Sequence, residues 1–144
     1  MKTSEEPIIV EATFSAPPER VWQAITDPEE MRQWYFKQIE DFRPEPGFES
    51  KFTVALEERS FEHLWKIVEV EEGRSISYTW RYTEYPGNSR VSMQLSPAGA
   101  GSHFRLEDVV TEDFPDGIPE FEREAGVEGW NYLIKEALKA HLDS

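Results

Sequence analysis

Two helix-start signals stand within the single stretch Phe14–Trp34, FSAPPERVWQAITDPEEMRQW, directly behind an extended apolar run. Pro17 and Pro18 fall at or near a first helical turn, where a missing N–H costs nothing. Val21, Trp22 and Ile25 follow at i, i+1 and i+4 and give one apolar face. Asp27-Pro28-Glu29-Glu30 repeats the signal, with an acid at the N-cap, a proline at N1 and a glutamate at N3. The run in front, Ile8–Phe14, alternates loosely and is rich in β-branched residues, which predicts a first strand. A strand, two short helices and then a sheet is an uncommon opening. It narrows the architecture sharply without choosing a reaction.

The rest of the chain supplies the sheet. Arg43–Gly47 is punctuated by two prolines and a glycine and predicts a turn. Phe48–Leu56 alternates, with Phe48, Ser50, Phe52, Val54 and Leu56 on one face. After a polar turn at Glu57–Arg59, His63–Val70 predicts a strand closed by Glu71–Gly73. Ser75–Tyr82 is the cleanest alternation, placing Ile76, Tyr78, Trp80 and Tyr82 together. Turns are expected at Pro86–Asn88 and Ser96–Gly101, framing strands Arg90–Leu95 and Ser102–Val110. Ile118–Leu142 then carries one long helical pattern, with Gly126 and Gly129 loosening its first half. Short hairpins imply an antiparallel sheet with the helices on one side, an α+β fold.

A chain of 144 residues fits one domain spanning 1–144. Aromatic residues make up 13% of it, and so many large rings must fill a core or wall a pocket. The net charge of −14 repels phosphate backbones and anionic lipid, which argues against nucleic acid and membrane partners. With no cysteine, disulfides, thiolate catalysis and cysteine-based zinc sites are excluded. The N-terminus lacks a basic, apolar signal pattern, and no stretch approaches about 20 apolar residues, so a cytoplasmic protein is expected.

Four segments carry a resemblance: FSAPPERVWQAITDPEEMRQW at Phe14–Trp34, RPEPGFESKF at Arg43–Phe52, EVEEGRSISYTW at Glu69–Trp80 and GWNYLIKEAL at Gly129–Leu138. In order and spacing they resemble the SRPBCC (START-like) superfamily, and more closely its heat-shock protein 90 ATPase activator homologue-like family. The resemblance implies a helix-grip fold, a curved antiparallel sheet wrapped around a long C-terminal helix. It also implies a cavity between the two that takes a small apolar molecule.

Strand parity names the expected lining. Phe52, Val54, Trp65, Tyr78, Trp80, Met93, Phe104 and Leu106 come from the sheet, and Trp130, Leu133, Ile134 and Ala137 from the helix. Plain core is the competing reading for each. Asp108 continues the parity of Phe104 and Leu106, so a carboxyl should point inward from an apolar row. Burial would raise its pKa, and it could fix a ligand hydroxyl or act as a general base, unless a bulge or the strand end turns it to solvent or it pairs with an arginine. His63 shares the parity of Trp65, His103 falls outward, and His141 sits near the helix C-terminus. The three histidines have no metal-ligand spacing, and Glu112, Asp113 and Asp116 lack a calcium-loop pattern. Glu120, Glu122, Glu124 and Glu128 read as a solvated face near the helix N-terminus. No nucleophile elbow, P-loop or dinucleotide fingerprint is present, so no catalytic residue, metal or cofactor is expected. The leading expectation is therefore non-catalytic binding of a small, largely apolar molecule. The alternatives are a co-chaperone-like or stress-related module acting through a protein partner, and a cyclase or hydrolase using Asp108 or His63.

Overall fold

Six strands form one antiparallel, curved and unclosed sheet in the order β1-β6-β5-β4-β3-β2. They are β1 (Ile8–Phe14), β2 (Glu49–Ala55), β3 (Ser60–Glu71), β4 (Ser75–Tyr82), β5 (Tyr85–Ala98) and β6 (Gly101–Glu112). The computed structural model describes residues 1–144. Strands β2 to β6 follow one another as hairpins, whereas β1 pairs with β6 and so lies at the edge opposite β2. The chain must therefore cross the whole sheet between β1 and β2, five strand spacings or about 24 Å. Helices α1 (Pro18–Thr26) and α2 (Pro28–Trp34) make that crossing.

Both helix starts fall where the prolines place them. Pro18 opens α1 and Pro28 opens α2, and the Asp27 carboxylate accepts a hydrogen bond from the Glu29 backbone N–H at 3.1 Å. The buried face of α1 is Val21, Ala24 and Ile25, while Trp22 is only half-buried. Glu30 does not close a reciprocal capping box. Its Oε1 accepts from Arg20 Nη1 at 2.7 Å and from His141 Nε2 at 2.8 Å, tying α2 to α1 and to the end of the chain. Burial opposes ionisation of Glu30, but these two donors outweigh it and hold the carboxyl below its ordinary pKa.

The strand beginning expected at Arg90 comes earlier. The turn before it is Thr83-Glu84, and Pro86-Gly87-Asn88 lie inside β5, where register shifts at Trp80/Tyr82 and Asn88/Ser89 bulge the hairpin. The turn expected at Ser96–Gly101 contracts to Gly99-Ala100, because Pro97 and Ala98 still pair with Ser102 and Gly101. The C-terminal helix starts at Arg123 rather than Ile118. Pro119–Phe121 form a single 3₁₀ turn that buries Phe121 first. From there α3 (Arg123–Tyr132), a π-helical stretch (Leu133–Leu138) and α4 (Lys139–Asp143) run on as one helix of 21 residues. The α3 segment containing Gly126 and Gly129 is regular; the irregularity lies one turn later.

The main core joins 24 buried residues between sheet and helices. Much of the concave face is filled by Tyr35–Phe42, the connection after α2. Tyr35 stacks on Trp34 at 4.6 Å and tilts against Trp65 at 5.1 Å, and its hydroxyl bonds that of Tyr78 at 2.7 Å. Phe42 meets Trp65 and Tyr78 edge-on. Arg32 donates to the Ile39 carbonyl and Ser50 to the Asp41 carbonyl, so this irregular backbone is satisfied without secondary structure. A second cluster, Phe61, Phe114 and Phe121, packs beyond the end of the first. The architecture is an α+β helix-grip fold.

Candidate functional site

Asp108 sits on β6 opposite Ile8 of β1 and Val91 of β5, in register with the apolar positions of both neighbours. The inward parity of Phe104 and Leu106 holds through Asp108, which is 6% exposed, and lapses beyond it. Its Oδ2 accepts from the indole N–H of Trp130 on α3 at 2.9 Å. Its Oδ1 is buried with no hydrogen-bond partner. Burial raises the carboxyl's pKa; the Trp130 indole, the adjacent Ser89 hydroxyl and the charges of Arg123 and the terminal ammonium oppose that rise. A polar atom left unpaired in a protein interior calls for an explanation.

The space in front of Asp108 is a cavity of about 160 Å³ between the end of the sheet and α3. Trp80 and Trp130 wall it, meeting edge-on with centroids 5.5 Å apart. Trp80 Nε1 donates to the Tyr82 hydroxyl at 2.8 Å, which settles a half-buried indole on a half-buried phenol. Burial, helped by the nearby Asp108 and Glu120 charges, raises the pKa of Tyr82 against that hydrogen bond. Phe36 and Phe114 add two more rings. Phe114 lies directly over Gly87, where φ is +116° and a Cβ would stand 2.3 Å from the ring. Only glycine fits there. On the helix side Ala125, Gly126, Gly129 and Leu133 leave the room, and Met1 and Ser89 complete the wall. Half-buried Glu120 and exposed Gly129 mark the mouth. Glu120 is paired there with Arg59 at 3.0 Å.

Of the residues expected to line a ligand cavity, Trp80, Asp108, Trp130 and Leu133 do so. Phe52, Trp65, Tyr78, Met93, Phe104 and Leu106, together with Ile134, are buried in the packed core, the first three against the Tyr35–Phe42 segment. Val54 and Ala137 are half-buried against that core and do not reach the cavity wall. His63 is buried in the aromatic cluster and His103 points outward onto Glu11 at 2.9 Å. His141 binds Glu30 rather than a free helix end. Tyr82 continues the parity of Trp80 and was readable as a wall. Phe36 and Phe114 lie outside any periodic segment and left no such signal. No three His, Asp or Glu side chains come together as a metal site would need. No helix is long and apolar enough to cross a membrane.

The sheet, the crossing helices and the cavity-bearing C-terminal helix define a protein of the SRPBCC superfamily. The chain belongs to the family of Activator of Hsp90 ATPase homolog 1-like proteins, whose family model matches residues 15–143. Among solved structures it is similar to protein MLL2253 of Mesorhizobium loti, with 28% identity, a TM-score of 0.71, and 96% and 97% of the two chains covered. It is similar to protein CV1439 of Chromobacterium violaceum at 23% identity and a TM-score of 0.78, over 96% and 97%. CalU16 of Micromonospora echinospora matches at 25% identity and a TM-score of 0.66, over 94% of this chain and 75% of that one. No curated protein matches the chain.

Proposed function

We infer that this chain is a non-catalytic binding domain that holds a small, largely apolar molecule in the cavity between the sheet and α3. The observation that carries the reading is the contrast along the concave face. Most of it is packed, against Tyr35–Phe42 and the helices, while one end is walled by large rings and left open in front of a buried carboxyl. A few polar atoms set among aromatic walls is the usual make-up of a small-molecule site. The volume suits a single-ring compound rather than a sterol, since a dry cavity of about 150 Å³ accommodates benzene.

Thermal shift against single-ring aromatics such as toluene and phenol tests this. A compound at about 100 times its Kd adds about 2.7 kcal/mol, a rise of several degrees for a chain of this size. Ala125→Leu, which adds carbons at the cavity wall, should abolish the rise. No shift in the parent protein, or an equal shift in Ala125→Leu, would refute the site.

A further inference from the structure

If the cavity holds a small molecule, as inferred above, its lining also says which kind. The polar side chains on its wall are the carboxyls of Asp108 and Glu120 and the hydroxyls of Ser89 and Tyr82; no lysine, arginine or histidine side chain lines it. The nearby cations are engaged elsewhere. Arg59 pairs with Glu120, Arg123 donates to the backbone carbonyls of Glu6 and Pro7, and the terminal ammonium of Met1 donates to the Phe121 carbonyl. Glu120 is thereby matched, and Asp108 Oδ1 has no partner in hydrogen-bond geometry, only the Ser89 hydroxyl beside it. Around it stand aromatic rings, whose faces carry negative electrostatic potential and attract cations. An anionic ligand would meet carboxyls and ring faces together and be repelled.

We propose that the ligand of this cavity is a compact primary amine, bound as its ammonium ion with Asp108 Oδ1 as acceptor and the rings of Trp80, Tyr82 and Trp130 about it. Folding has already stripped water from the carboxylate, so binding needs only the ammonium to be desolvated. The hydrogen bond formed is charge-assisted, the stronger class. The volume limits the molecule to one ring with a short amino arm.

Benzylamine and the near-isosteric benzyl alcohol are the probes, titrated calorimetrically into the full chain at about 0.15 M salt, which screens attraction to the acidic surface. Benzylamine should bind about tenfold or more tightly than benzyl alcohol, and Asp108→Asn should cost benzylamine about 10–100-fold and benzyl alcohol, which has no charge to lose, at least several-fold less. Because burial favours the protonated carboxyl, proton release from Asp108 on benzylamine binding should grow as pH is lowered, seen as an increasing dependence of the heat on buffer ionisation. The other charged or titratable groups bearing on Asp108 are Arg123, the terminal ammonium and the phenols of Tyr35, Tyr78 and Tyr82. Equal affinities for the two probes would overturn the amine assignment and leave the binding site standing. So would an unchanged benzylamine affinity in Asp108→Asn. Binding of neither probe would overturn both readings. Should Asp108→Asn fail to fold, the comparison of the two probes on the parent protein decides.

Discussion

Acid should destabilise this protein through a histidine that takes no part in the cavity. His63 is 5% exposed, stacked on Phe52 at 4.7 Å and edge-on to Tyr82 at 4.8 Å. Its Nδ1 meets the Phe61 carbonyl at 3.0 Å, which fixes the proton of the neutral ring on that nitrogen. Burial pushes its pKa down to about 4, against the opposing pull of the Phe61 carbonyl and the Glu84 charge. In the unfolded chain the same group titrates near about 6.5. Between those values the unfolded state binds the extra proton, so stability falls as pH drops through the window and is fully lost below the folded value. From about pH 7.5 to about pH 5.5 the loss works out to about 1.3 kcal/mol, and it barely changes for any folded pKa below about 5. His63→Phe keeps a ring on Phe52 and removes the titration. Urea unfolding followed by tryptophan fluorescence at both pH values should show the parent losing about 0.6 M more in midpoint than the variant, for a slope near 2 kcal/mol/M. Equal losses in the two proteins would mean that His63 is not held neutral by burial, and the argument would fail.

Asp108 has the opposite sign. Its raised pKa means that the folded state holds the proton longer, so stability falls as pH rises through and above the ordinary carboxylate range; Asp108→Asn should therefore stabilise the empty protein by about 1–3 kcal/mol at neutral pH, a gain that shrinks in acid. Gly129→Ala meets nothing within 4 Å and should add about 1 kcal/mol, whereas at Gly126 a Cβ comes 3.0 Å from both Ile8 and Met1 and the gain should be smaller or absent; urea midpoints of the two variants give the comparison. Tyr35→Phe leaves the buried Tyr78 hydroxyl without its partner and should cost about 1–3 kcal/mol by the same assay. Gly87→Ala forces a positive-φ alanine into the Phe114 ring and should both lower Tm and weaken any ligand in the cavity, read by thermal shift.

Where regular alternation faces a half-buried sheet, the residues announce their own structure. Ser75–Tyr82 is a strand over the expected span, and Asp108 points inward because the period of β6 runs unbroken from Phe104 through Leu106 to Asp108, the bulge opposite Asn88/Ser89 coming only at Thr111. The paired Pro-Glu starts of α1 and α2 are local chemistry and therefore legible. Bulges are not. Pro86-Gly87-Asn88 has the composition of a turn, yet the Phe114 ring that packs on Gly87 comes from 27 positions away (114 − 87) and draws these residues into the strand. The π-helical stretch at Leu133–Leu138 likewise contains no helix breaker that would announce it.

The same distinction explains why the cavity lies at one end of the concave face and not along its middle. Parity assigns Phe52, Trp65 and Tyr78 correctly to the concave face but cannot say what covers that face. The cover is Tyr35–Phe42, a segment without periodicity whose identity as core depends on α1 and α2 delivering it there, and on Arg32 and Ser50 receiving its carbonyls. It stops short of the far end, where Phe61, Phe114 and Phe121 form a separate cluster. The gap between the two clusters is the cavity, and the one inward carboxyl of the sheet opens onto it. A carboxyl facing the packed middle would be driven out by its desolvation cost; facing a void, it can be compensated by whatever enters. Position and chemistry therefore support one another. The site lies where core packing ends, and Asp108 is tolerated because it lies there.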